Sequence, residues 1–257
     1  MATTTRAYEL LIGTGNDGTD EHVDIELVNA AGAVSNKERP ASGDSGRNNY
    51  EKGSIEIFDP LTFTLDGTPA KIRVHFTGSK WKLGGLWLTD KTTGETWYAL
   101  PDALVGSGSG AMRSPATFDL QQLREGDAPA PAYDEFKVFI STASGSDTGT
   151  NDKVFLKLFD ARAVSSLTQR PGATDNIGNP INDWKSGTRQ EAKVAGGLAK
   201  MGSISYILLC KYGSNSWNPT TVDAEGVSPS GPSRRFVINH PLTEAANKWI
   251  FVRANAT

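Results

Sequence analysis

The chain has 257 residues, a formal net charge of −3 and a pI near 5.7. It therefore lacks the global basic field that drives non-specific phosphate binding, and nucleic acid is not an expected partner. With 37 % hydrophobic and 21 % charged residues it reads as globular, and no run approaches the ~18 apolar residues of a membrane-spanning helix. One cysteine, Cys210, excludes an intrachain disulfide framework and a multi-cysteine zinc cluster.

In chain order the predicted elements are strands. The opening residues MATTTRAYELLIG have no charged start followed by a long apolar core, which sets an expectation of a cytoplasmic location, with export by a route that needs no signal peptide still open. The runs Tyr8 to Ile12, Val23 to Val28, Ile55 to Phe58, Ile72 to Phe76 and Leu86 to Thr89 are strand-length and rich in β-branched or aromatic residues. Between them lie GTGNDGTD, NAAGAVSN, PASGDSGRNN and DKTTGE, all dense in turn formers. The spacing predicts an all-β sandwich. Residues 125–132 combine glycine, prolines and charges without apolar period and read as a linker, which predicts one domain over 1–124 and a second over 133–257.

After that linker the pattern begins again. YELLIGT at Tyr8 resembles FKVFIST at Phe136, GTDEHVDIEL at Gly18 resembles GTNDKVFLKL at Gly149, and NYEKGS at Asn49 resembles DWKSGT at Asp183. The offsets are 128, 131 and 134 residues, growing only in turn segments, as loop insertions between matching strands would give.

Catalytic motifs are thin. Gly13-Thr14-Gly15-Asn16-Asp17-Gly18 fits GxGxxG, but Val23 to Leu27 alternate as a strand where a dinucleotide fingerprint needs a helix N-terminus. His22, His75 and His240 have no metal or relay spacing, and Cys210 lies in an apolar run that suits a buried structural thiol. Asp24 and Glu26 fit a solvated strand face, and the chain is expected to be no enzyme.

The recurring residues are more informative. Gly18-Thr19-Asp20 with Val23 to Leu27, then Tyr50-Glu51-Lys52-Gly53-Ser54, the strand Ile72 to Phe76, Trp81-Lys82-Leu83, and Thr93-Gly94 before Trp97-Tyr98 resemble the PLAT (lipoxygenase-homology) domain over residues 7–98. The second half resembles it through Gly149-Thr150-Asn151, Trp184 to Thr188, and Trp217 at the place of Trp81, with Pro219 interrupting the Trp-x-Leu. The resemblance implies two tandem eight-stranded β-sandwiches, each of two four-stranded antiparallel sheets. It also implies a non-catalytic binding role on a lipid or membrane surface, in some cases with calcium. The alternative is a protein-protein interaction or structural component, for example of a toxin or secreted complex. By the same resemblance, calcium ligands fall on Asp147, Gly149, Thr150, Asn151, Asn182 and Asp183 in the second half. In the first half they fall on Asn16, Gly18, Thr19, Asp20, Asn48 and Asn49, with Asp17 and Asp44 as further carboxylates and Lys80 opposing. Weak binding, stronger in the second half, is the expectation, and Trp81 and Trp217 are the candidate membrane or partner contacts.

Overall fold

The computed structural model describes residues 3–40, 50–123, 133–150, 152–160, 168–169, 184–195, 201–202, 204–227, 233–243 and 248–255. All regular elements there are strands, and the chain divides into two compact units, Met1–Leu123 and Arg124–Thr257. The expected linker, 125–132, lies outside the described residues.

The first unit contains β1 (Thr4–Thr14), β2 (Val23–Asn29), β3 (Ile55–Leu65), β4 (Pro69–Phe76), β5 (Trp81–Asp90), β6 (Thr96–Ala99), β7 (Ala103–Val105), β8 (Ala116–Asp119) and β9 (Gln121–Gln122). One sheet has the order β3-β1-β5-β6-β9 with β7 also on β5, and the other is β2-β4-β8. The five predicted strands fall inside β1 to β5. Pro60 interrupts β3 without ending it, because β3 is an edge strand and its register on β1 shifts beside it, between Tyr8 and Leu10.

The second unit contains β10 (Glu135–Thr142), β11 (Lys153–Phe159), β12 (Thr168–Gln169), β13 (Arg189–Ala195), β14 (Tyr206–Tyr212), β15 (Pro219–Gly226), β16 (Arg234–Val237) and β17 (Trp249–Arg253). Its sheets are β13-β10-β15-β16 and β12-β11-β14-β17, the expected four plus four. The first unit departs from that count among the described residues: its sheets have six and three strands. Short β7 and β9 extend one sheet. In the other, the segment that should pair with β2 touches it only through the isolated bridges Val28↔Val34 and Ile25↔Glu38. The reason is local: the Leu27 N–H donates to the Ser35 hydroxyl (2.9 Å), so a side chain takes a donor that a ladder carbonyl would otherwise satisfy.

Strand order nevertheless repeats. The path β3-β1-β5-β6 corresponds to β13-β10-β15-β16, and β2-β4-β8 corresponds to β11-β14-β17. Each unit closes its own core by alternation. In β4, Ile72, Val74 and Phe76 turn inward at 0–1 % exposure while Arg73 and His75 face out, and each such apolar burial stabilises by about 1.5–3 kcal/mol. In β10, Phe136, Val138 and Ile140 do the same.

The outward faces of the corresponding sheets differ. On β2 and β4, Asp24 pairs with Arg39 (2.6 Å) and Glu26 with His75 (2.8 Å), the solvated carboxylates expected. On β11, β14 and β17 the same face carries Phe155 against Tyr212 (4.9 Å between ring centroids) and Phe251 between Phe159 and Tyr206. Leu208 and Cys210 on that face are 0 % and 3 % exposed.

Candidate binding site at the loop end of each sandwich

The motif residues converge at one end of each sandwich, where they build the same frame twice. At the end of β1 the register on β5 shifts between Gly13 and Thr14; at the end of β10 the register on β15 shifts between Ser141 and Thr142. Each bulge presents a threonine hydroxyl to a buried indole. Trp81 Nε1 donates to Thr14 Oγ1 (3.2 Å) and Trp217 Nε1 to Thr142 Oγ1 (3.1 Å). Both indoles pack at a tilt against the aromatic of the second motif: Trp81 on Tyr50 and Trp217 on Trp184, each with ring centroids 5.1 Å apart.

The backbone repeats as closely. Thr19 N donates to Tyr50 O (3.1 Å) as Thr150 N does to Trp184 O (3.0 Å). Gly53 N donates to Gly15 O (2.7 Å) as Gly187 N does to Ala143 O (2.9 Å). Lys82 N donates to Asp17 O (2.8 Å) as Asn218 N does to Thr148 O (3.0 Å). Gly53 and Gly187 both sit at φ 71°, the left-handed region where a side chain is strained. Glycine at 18 and 149 answers a different need. A Cβ on Gly18 would come within 2.7 Å of Lys52 N and 2.8 Å of Tyr50 O, and one on Gly149 would collide with the Trp184 carbonyl. Thr19 and Thr150 then close the turn, their hydroxyls accepting from Glu21 N (3.1 Å) and Asp152 N (3.0 Å).

This geometry places the expected ligands. Gly18, Thr19, Gly149 and Thr150 are frame residues held by backbone contacts. Asn16, Asp17 and Asp20 are exposed on the first turn, and Asp147 is exposed on the second at φ 58°. Asn48, Asn49, Asp44, Asn151, Asn182 and Asp183 lie outside the described residues. Lys80 is exposed and runs against the backbone at Gly108, where a Cβ would come within 2.7 Å of its Cγ. Among the described residues no three of His, Cys, Asp and Glu are grouped to hold a metal.

The two tryptophans correct an expectation. Trp81 and Trp217 are 0 % exposed and hydrogen-bonded, so neither reaches a membrane or partner while the sandwich is folded. They are the plugs that join the bulge to the second motif. The histidines form no relay: His75 is engaged by Glu26 and, at 3.4 Å, Lys37. The Cys210 thiol is buried and pushed up to about 12 by desolvation, as suits an inert core thiol. Burial likewise raises the Tyr50 phenol well above its ordinary value.

No family model and no curated protein sequence matches this chain. Solved structures do. Coral 8R-lipoxygenase, described in terms of calcium activation via a C2-like domain, is 17 % identical, with 47 % of this chain and 17 % of that chain covered at a TM-score of 0.38. A LOX variant in complex with arachidonate is 14 % identical, with 47 % and 16 % covered at a TM-score of 0.38. The match spans about a sixth of the length of those proteins.

Proposed function

We propose that this chain is a non-catalytic binding protein built of two PLAT-like modules, whose loop ends are the recognition ends. The observation that supports this reading is the duplicated frame. Bulge, indole plug and glycine turn recur with the same donors and acceptors, and together they fix the position of the exposed turns that leave each sandwich. A frame that is rigid under exposed loops is a platform for presenting loop side chains.

In the first module the amide of Asn16 and the carboxylates of Asp17 and Asp20 are hard oxygen donors on one exposed turn, which fits the chemistry of a divalent cation such as Ca²⁺. Bound there, the cation would supply positive charge between the turn and an anionic lipid headgroup. With Trp81 and Trp217 buried, surface association of this kind is electrostatic rather than inserted. Exposed large apolar residues among the described ones are few: Val34, Leu100, Met112 and Val227.

Co-sedimentation of the full chain with phosphatidylserine-containing vesicles, in calcium and in chelator, tests the reading. Calcium-dependent partition that disappears with neutral phosphatidylcholine vesicles is expected, and equal partition in all conditions would overturn it.

A further inference from the structure

The two loop ends differ at one buried position. Phe76 pairs with Val23 across β4 and β2, and Lys211 pairs with Val154 across β14 and β11. Val23 and Val154 each stand five residues after the glycine of their turn, so Phe76 and Lys211 occupy one place in the two folds. Phe76 is 1 % exposed and packs on Trp81, ring centroids 5.8 Å apart. Lys211 is buried equally well, its side chain 0 % exposed, yet it ends in an ammonium.

That ammonium is built into the turn. Lys211 Nζ donates to Asp152 Oδ2 (2.8 Å) and to the carbonyl of Gly213 (3.0 Å). Asp152 stands two residues after Thr150, its N–H resting on Thr150 Oγ1. Gly213 leaves room for the carboxylate, since a Cβ there would collide with both Asp152 oxygens. Among the described residues of this loop, the Thr148 hydroxyl also donates to Ala143 O (2.8 Å), and the Ser186 hydroxyl to Gly145 O (2.7 Å).

Calcium needs six to eight oxygen donors, several of them anionic. Here the carboxylate next to the turn is neutralised by a buried ammonium, and a buried pair of this kind resists separation because either charge alone is costly. A second cation added beside it meets like-charge repulsion in a poorly screened place. The described residues of the second loop end therefore do not fit the metal that the fold family implies.

We propose that Lys211 is a tethered cation standing in for a divalent ion at the loop end of the second sandwich, so that this end takes no calcium. This rests on the reading of the loop ends as recognition ends. It overturns the expectation of calcium binding that is stronger in the second half.

Calorimetric titration of the full chain with CaCl₂ tests it, with folding of each variant checked by circular dichroism. Any calcium heat of the unaltered chain is expected to vanish in Asp17→Asn/Asp20→Asn. Adding Lys211→Met to that pair should create a site at least tenfold tighter than anything the pair alone shows, whereas adding Lys211→Arg or Asp152→Asn, which keep the cation, should create none. Lys211→Gln replaces the methionine variant if the latter unfolds. Heat that survives Asp17→Asn/Asp20→Asn and is lost on Asp183→Asn overturns the proposal, as does a folded uncharged variant that gains no calcium. If the unaltered chain binds no calcium but the Lys211→Met chain does, the inference stands and the calcium part of the proposed function falls.

Discussion

Replacing Gly18 by alanine separates a structural role for the Gly-Thr-Asp turn from a ligand role. The added methyl carbon would sit 2.7 Å from Lys52 N and 2.8 Å from Tyr50 O, both backbone atoms of the facing strap. No side-chain rotation relieves such a contact, so the strap must move. Overpacking against main chain costs about 1–3 kcal/mol. Displacing the strap also weakens the Thr19 N to Tyr50 O bond (3.1 Å), worth roughly 0.5–1.5 kcal/mol. The sum, about 2–4 kcal/mol, is a large part of the stability of a unit this size and corresponds to a drop in Tm of roughly 10 °C. Gly67→Ala is the control: it sits at φ 78° with nothing within 4 Å, so only backbone strain of about 1–2 kcal/mol applies. Urea unfolding of the full chain, followed by far-UV circular dichroism and tryptophan emission, reads both. A Gly18→Ala chain within about 0.5 kcal/mol of the parent would refute the steric account and return the glycine to a ligand-access role.

Three further outcomes follow from the site and its surroundings. Trp81→Phe and Trp217→Phe should each lower stability by roughly 1–3 kcal/mol through loss of the buried indole hydrogen bond and ring volume, while leaving any vesicle partition of the folded chain unchanged; reduced partition with unchanged stability would show these rings at the surface. Cys210, 3 % exposed with its thiol pushed up to about 12, should resist a thiol-specific reagent in the native chain and react fully in denaturant, so labelling at the native reactivity of a free thiol would contradict its burial. Burial alone would raise the Asp223 carboxyl, but the hydrogen bonds and charges of Arg235 and Arg189 outweigh it and hold the carboxyl below its ordinary range. Its contribution is therefore complete above the unfolded value of about 4 and is lost as pH falls through the lower folded one; Asp223→Asn should lower stability at pH 7 and flatten the acid limb, and an unchanged acid limb would sink the assignment.

Much of the fold was legible because alternation and turn chemistry report it directly. Ile72, Val74 and Phe76 against Arg73 and His75 gave the strand, its inward face and its solvent face together. The repeat offsets were equally readable, since Thr14 and Thr142, Gly18 and Gly149, and Trp81 and Trp217 occupy matching positions in space. The sheet sizes of the first unit were not legible: whether 34–38 forms a strand turns on the Ser35 hydroxyl meeting the Leu27 N–H eight residues away, a pairing that no sequence pattern marks. The role of Trp81 was ambiguous for a related reason. A tryptophan beside a turn satisfies a loop reading and a core reading alike, and only the position of Thr14 Oγ1, 67 residues away, decides between them. Lys211 was missed because it follows the apolar run Ile207 to Cys210, where a lysine reads as the solvated end of a strand. The signal that finds it is the pairing of the two halves, which sets it opposite Phe76.

Comparing the halves position by position separates what the fold demands from what it leaves free. Where main chain approaches main chain, at Gly18 and Gly149 or at Gly53 and Gly187, both halves keep glycine because no other residue fits the space or the φ angle. Where an indole must close a bulge, both keep threonine and tryptophan. The outward sheet face has no such constraint, and there the halves have diverged: Asp24, Glu26 and His75 in one stand where Phe155, Lys157 and Cys210 stand in the other. The charged face meets water, whereas on the other Phe159, Leu208 and Cys210 are withdrawn from it at 0–3 % exposure. The same contrast runs through the loop ends, apolar Phe76 against the ammonium of Lys211. The common frame thus accounts for the shared fold, and the modules differ where the frame sets no demand, on the outward sheet face and at the buried place that Phe76 fills in one and Lys211 in the other.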